Sequence, residues 1–289
     1  MCIRDSIRYV TLNNHLKNQL EQWCDHQVQV EVRKNTYDFD RQGTYRNIRE
    51  GLDIRDSDVL IARTTRIIPQ KRQDRDIWLV YRLNQLFAQS GSGRKVYLVV
   101  AGDPQEHPAY FAALNEQVRE LNIEPFVKFI GSLSHACMPS KQNAITIEDL
   151  YGSCDLVSFL TSWGYDSYGN PIGESISNQR CYITTRYEYY QEVYGRHGFE
   201  APIMNISQTN DGLPDEQFVD EVYRLLNDKL LMQDMARRNF AIGQRVLANN
   251  VAGMLDLNEP GGTMRDTIFV SVVLPVYNCL LYTSDAADE

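Results

Sequence analysis

Two basic side chains stand in the segment Arg66-Ile-Ile-Pro69-Gln-Lys71, and two acidic ones, Asp166 and Glu174, lie further along the chain. Arginine offers a planar fork to phosphate oxygens and lysine a mobile point charge. Carboxylates accept hydrogen bonds from sugar hydroxyls. The acidic pair straddles Tyr168-Gly169-Asn170-Pro171, which reads as a helix start with Asn170 as N-cap and Pro171 as the first helical residue. Gly169 would let the backbone come close to a ligand, and the N–H groups and dipole of such a terminus attract an anion. With Ile172 and Ile176 turned to a sheet, both carboxylates can face a cleft. Each feature alone fits a blander account: a solvated basic loop, an ordinary capped helix, a surface acid pair. Together they describe a ligand bearing phosphates and hydroxyls, and they require all four charged side chains to gather around one pyrophosphate-sized hollow.

The elements that must position these residues follow an alternating pattern. From Asp58 onward, short β-rich runs alternate with helical stretches, the sign of βαβ units on a parallel sheet. Strands are expected at 59–62 (VLIA), 96–101 (VYLVVA), 127–130 (VKFI), 156–160 (LVSFL) and 181–185 (CYITT). Between them, Ile77, Val80, Leu83 and Phe87 share one helical face, and Phe111, Leu114, Val118 and Leu121 another. Thr146 with Asp149 resembles a capping box opening a helix over 147–153. A further helix is expected over 187–194. Phe218, Val222 and Leu225, then Leu231, Met235 and Ile242, predict two packed helices near the end. This order places Arg66 and Lys71 just past the carboxyl end of the first strand, where ligands of open α/β sheets bind.

The chain has 289 residues, 43% of them hydrophobic and 23% charged, enough to bury a substantial core. A formal charge of -9 argues against a broad footprint for nucleic acid. No run approaches the roughly 20 apolar residues that span a bilayer, so the chain reads as water-soluble. The ends are set apart: residues 1–6 (MCIRDS) and 279–289 (CLLYTSDAADE) look like translated sequencing adapter, and the chain between them reads as a fragment. Cys24, Cys137, Cys154 and Cys181 remain, widely spaced and without a C-x-x-C pair, which favours reduced thiols and a cytoplasmic protein. Residues 7–40 read as the remnant of a preceding domain, 41–255 as the main domain and 256–269 as a linker. The closest approach to a metal motif is His135-x-Cys137, a pairing more often structural, so no metal is expected.

R-x-x-P-x-K after a first strand is followed by Gly102-Asp103 with Tyr110, Val127 to Gly131 (V-x-F-x-G), Leu150 to Leu156 (LYGSCDL), and Asp166 to Glu174 (D-x-Y-G-x-P-x-x-E). This order resembles the donor-binding, C-terminal half of a GT-B glycosyltransferase of family 4, over about Lys34 to Asn250. The resemblance implies an α/β, Rossmann-like parallel sheet with helices on both faces, and a retaining transfer from a nucleotide-diphosphate sugar without a metal or other cofactor. It implies that Arg66 and Lys71 hold the diphosphate, that backbone N–H groups around Gly169, Asn170 and Ile172 bind the same phosphates, that Glu174 bonds the ribose, and that Asp166 touches the donor sugar near the reacting carbon. The family has Glu where this chain has Asp166, one methylene shorter, so the sugar contact is altered. The acceptor, a glycan or lipid-linked molecule, would be held by an N-terminal domain of which 7–40 is the tail. The isolated chain is then expected to bind donor and transfer little sugar. Val270 to Asn278 (VSVVLPVYN) resembles the first strand of a family 2, GT-A transferase, which points to a multi-domain enzyme of bacterial polysaccharide or glycoconjugate synthesis, cytoplasmic or peripheral at the inner membrane. Alternatives are a non-catalytic nucleotide-sugar-binding module and a GT-B-like epimerase or phosphorylase.

Overall fold

The computed structural model describes residues 9–40, 45–135 and 144–248. The proposed linker, the GT-A-like strand, the adapter-like ends and Cys137 lie outside them. The chain divides into two compact units, with the boundary at Asn35 and Thr36. In the first, strand β1 (Tyr9–Thr11) pairs in parallel with β2 (Val30–Val32) through helix α1 (Asn14–Trp23). Asn13 caps that helix, its side chain accepting from the Leu16 N–H at 2.9 Å.

The second unit, Thr36–Asn249, holds a six-stranded sheet. Its strands are β3 (Val59–Thr64), β4 (Val96–Ala101), β5 (Val127–Phe129), β6 (Leu156–Phe159), β7 (Cys181–Thr185) and β8 (Ile203–Met204). All pair in parallel, in the order β5-β4-β3-β6-β7-β8. The chain winds outward from β3 to β5 and then returns to lay β6 on the other side of β3. That reversal, at the carboxyl ends of β3 and β6, is the usual ligand position in such sheets.

Side-chain alternation divides the core. Val59 and Ile61 of β3, with Leu98 and Val100 of β4, join a buried cluster with residues of α2 (Gln73–Gln89), α3 (Pro108–Glu120) and α7 (Glu216–Asn227). The intervening Leu60, Ala62 and Val99 are equally buried but point the other way. That second side carries α4 (Ile147–Ser153) against β3 and α5 (Asn170–Ser177) against β6 and β7, with α8 (Lys229–Val246) on α5. The sheet is therefore covered by helices on both faces. Residues 36–40 belong with this unit: Tyr37 lies against Gly173, and Phe39 meets Phe240 with ring centroids 5.3 Å apart.

Three local expectations need correction. The first strand runs on through Arg63 and Thr64 rather than stopping at Ala62, because Arg63 finds buried polar partners. The helix expected over 187–194 shrinks to α6 (Tyr190–Val193); the Glu188 N–H goes to the Trp163 carbonyl at 3.0 Å, which pins the preceding residues as a turn. In α8 the buried stripe is Ala236, Asn239 and Gly243, while Leu231 is 40% exposed. Asn239 belongs in that stripe because its amide clasps Glu200 by both backbone groups, accepting from its N–H at 2.9 Å and donating to its carbonyl at 2.8 Å.

The capping box at Thr146 is present in full, each partner's side chain bonding the other's backbone N–H. It fixes the helix that carries Tyr151. Thr146→Ala should cost about 0.5–2 kcal/mol of stability, read as a lowered urea midpoint; an unchanged midpoint would show that the cap does not hold α4.

Candidate functional site

The segment after β3 is built to split its two cations. Ile67 and Ile68 are buried and anchor the loop, and Pro69–Lys71 closes it as a single 3-10 turn with proline at its start. Gly102, at the end of β4, admits the loop: a Cβ there would collide with the Thr65 carbonyl and lie 2.9 Å from Cγ1 of Ile67. Arg66 therefore stays outside, 57% exposed and paired with Glu106. Lys71 goes inside, where its Nζ pairs with Oδ1 of Asp166 and lies over the rings of Tyr165 and Phe159, 5.1 and 5.6 Å from their centroids. The other oxygen of Asp166 accepts from the Thr161 hydroxyl at the end of β6. Burial pushes the Lys71 ammonium below the usual lysine range, and Asp166 opposes that shift.

Between Asp166 and α5, tyrosines brace the chain. The Tyr187 hydroxyl donates to the Tyr168 carbonyl at 2.7 Å and that of Tyr194 to the Gly169 carbonyl at 3.0 Å. Gly169 adopts φ 80°, and a Cβ would lie 2.6 Å from the Tyr187 hydroxyl, so only glycine fits this turn. Gly169 is accordingly the helix cap, and Asn170, expected to cap, is already the first helical residue, its side chain accepting from the Tyr37 hydroxyl at 3.1 Å. The left-handed Gly169 also turns its carbonyl onto the Ile172 N–H at 3.0 Å, while the Gly173 N–H meets the Tyr194 hydroxyl. The Ile172 N–H, expected to face a phosphate, is thus already bonded within the first turn. Asn170, Ile172 and Gly169 hold this turn in shape.

Glu174 points to a different neighbour. Its carboxylate accepts from the Tyr151 hydroxyl at 2.5 Å, and Tyr151 meets the Thr64 hydroxyl at 2.6 Å. Thr64 lines a cavity of about 480 Å³ at the carboxyl ends of β3 and β4, with Arg66, Gly102, Asp103, Glu106 and Ser132 also on its walls. The four charged residues accordingly do not close on a single hollow. Arg66 lines the cavity, Lys71 and Asp166 pair with each other on the β6 side, and Glu174 reaches the cavity wall through Tyr151. Thr161, Tyr151, Tyr187 and Tyr194 are members of the arrangement that sequence reasoning missed; the spacing of Tyr187 and Tyr194 was the available signal. Among the described residues no grouping of His, Cys, Asp and Glu is gathered closely enough to hold a metal ion. His135 lies 3.2 Å from Glu148, and no described helix is long and apolar enough to cross a membrane.

No protein-family profile matches the chain, and no curated protein matches it in sequence. Solved structures do match. A glycosyltransferase from Rickettsia africae superposes with a TM-score of 0.63 at 15% identity, over 86% of this chain and 62% of that one. HepE from Anabaena, solved with UDP-glucose, gives 0.64 at 15% identity over 86% and 64%. WaaG, a glycosyltransferase involved in lipopolysaccharide biosynthesis, gives 0.62 at 14% identity over 88% and 62%. This chain spans less than two thirds of each. What they share with it is the fold, the α/β Rossmann-like parallel sheet of GT-B glycosyltransferases.

Burial pushes the Glu174 carboxyl above the usual glutamate range, and the Tyr151 bond pulls the other way. An acid whose pKa is raised on folding favours the fold below its unfolded value of about 4.3, and that contribution is lost as pH rises through the raised value. Glu174→Gln keeps an acceptor for Tyr151 and carries no charge. It should be the more stable protein at pH 7 and show a flatter stability profile from about pH 4 to pH 7 in thermal unfolding. A variant that is less stable at pH 7 with an unchanged profile would contradict this.

Proposed function

We propose that residues 36–249 are the donor-binding, C-terminal domain of a retaining GT-B glycosyltransferase of family 4, which takes its glycosyl group from a nucleotide-diphosphate sugar. The single observation that carries this reading is the Lys71–Asp166 pair, with Arg66 on the same loop, at the point where the sheet reverses direction. The nucleoside would occupy the cavity beside β3 and β4, its ribose reaching Glu174 in place of Tyr151. The diphosphate would lie between Arg66 and Lys71, over the first turn of α5.

The chemistry then follows from charge. When the bond from the anomeric carbon to the phosphate oxygen breaks, its electrons stay on the diphosphate. Cations held beside that oxygen stabilise the charge that develops on the leaving group. Asp166 has two uses here: it keeps Lys71 protonated although buried, and it stands near the donor sugar. The role asks nothing of a metal, since Arg66 and Lys71 answer the charge that develops. The acceptor, a glycan or lipid-linked molecule, would be bound by an N-terminal domain, and the parent enzyme would act in bacterial polysaccharide or glycoconjugate synthesis, in the cytoplasm or peripherally at the inner membrane.

A second reading, a nucleotide-sugar-binding module without transfer, draws on the same pair, because both Asp166 oxygens are already engaged. Calorimetry with UDP-, GDP- and ADP-sugars tests what the two readings share. One of the three should bind, and Arg66→Ala should weaken it about 10- to 150-fold, the scale of one charge-assisted phosphate contact. No binding of any of them, or an affinity indifferent to Arg66, removes the site. The isolated chain should show little turnover on any acceptor; substantial turnover would contradict the assignment of the acceptor site to another domain.

A further inference from the structure

Strand β3 carries a charge where its apolar run would otherwise continue. Arg63 is fully buried, and so are Asp76 and Gln73 on α2 and Ser158 on β6. The Arg63 Nε lies 3.5 Å from Oδ2 of Asp76 and donates to the Thr65 hydroxyl at 3.1 Å, while its Nη2 donates to the Lys71 carbonyl. Asp76 in turn accepts from the Ser158 hydroxyl. Gln73 donates to the Thr65 hydroxyl at 3.1 Å and to the Arg66 carbonyl at 2.6 Å. Two elements, β3 through Arg63 and α2 through Gln73, thereby grip one loop at Thr65, Arg66 and Lys71, while Ser158 of β6 holds Asp76, and none of these bonds uses the charged end of Arg66 or Lys71.

Stability does not account for the arrangement. Arg63 Nη1, Gln73 Oε1 and Asp76 Oδ2 are buried without a hydrogen-bond partner among the described residues, and buried ion pairs of this kind are commonly replaced by apolar side chains without loss of stability. Burial also pushes the Asp76 carboxyl above its usual range despite the neighbouring guanidinium, a sign that the carboxylate is poorly solvated. What the network does accomplish is geometric. It holds the main chain on both sides of Ile67 and Ile68 and leaves the charged ends of Arg66 and Lys71 to their own partners, Glu106 and Asp166.

We infer that Arg63, paired with Asp76, is a positioning residue that clamps the backbone of the 65–71 loop so that Lys71 is delivered to Asp166 and Arg66 to the cavity. The identity of the anion served rests on the proposed function; the delivery of Lys71 does not.

The test is the double variant Arg63→Met/Asp76→Leu, which removes both charges together, alongside Arg63→Lys, which keeps the charge but cannot reach Thr65 and Lys71 at once. Acetylation of individual lysines by acetic anhydride, read by mass spectrometry, reports Lys71 against the exposed Lys229, and thermal unfolding reports the fold. Lys71 should become about tenfold or more faster to label relative to Lys229 in the folded double variant, the scale of one lost bond to a charged group, and Arg63→Lys should fall between it and wild type. Lys71 labelling at the wild-type ratio in either folded variant overturns the inference; should the double variant not fold, Arg63→Lys decides. UDP, GDP and ADP titrations run in parallel. Faster Lys71 labelling with no nucleotide binding even in wild type would sink the proposed function and leave the clamp standing.

Discussion

An ammonium group withdrawn from water has to be compensated where it lies, and for Lys71 the compensation is Asp166. The two residues come from opposite sides of the sheet's reversal, one following β3 and the other following β6, so their pairing ties together the two loops that border it. The tie explains several choices around it. Gly102 has no side chain because the lysine loop must pass the end of β4. Thr161 spends its hydroxyl on the carboxylate, and the rings of Phe159 and Tyr165 cover the ammonium while offering it their π faces. Buried pairs of this sort contribute little net stability, but the Asp166 carboxylate, held on its other oxygen by Thr161, sets where the Lys71 ammonium lies.

The tyrosine brace is the second half of the same design. A polar turn at residues 168–170 is not held by apolar packing alone: buried hydroxyls donate to the Tyr168 and Gly169 carbonyls. Tyr187 and Tyr194 satisfy them from below while their rings stack edge to face with Phe159 and Tyr168. Tyrosine suits this position because its ring fills the core and its hydroxyl reaches a polar partner. The turn and the lysine loop are thus fixed separately, each by its own buried groups.

Sequence reasoning read the periodic parts of this structure well. Strands 96–101 and 181–185, the helix carrying Phe111, Leu114 and Val118, and the Thr146 cap were legible because each is fixed by its own apolar run or local side-chain bond. It failed where a distant partner decides. Arg63 looks like the end of a strand until Asp76 is brought against it, Asn239 looks like a surface residue until Glu200 arrives, and the 187–194 run looks helical until its tyrosines are drawn to Tyr168 and Gly169. The candidate site divides in the same way. The residue types were visible, including two cations on one loop and two acids around one helix start. That Lys71 would take Asp166 while Glu174 took Tyr151 was not, because that choice depends on which strands lie beside β3.

In the proposed function, an anionic group of the ligand settles between Lys71, Arg66 and the Gly169 turn. A crystal structure of the chain with a bound nucleoside diphosphate measures this directly. The account predicts phosphate oxygens within hydrogen-bonding distance of Lys71 Nζ and of the Arg66 guanidinium, with Arg66 released from Glu106. A diphosphate bound elsewhere, with the Arg66–Glu106 and Lys71–Asp166 pairs both undisturbed, would contradict it.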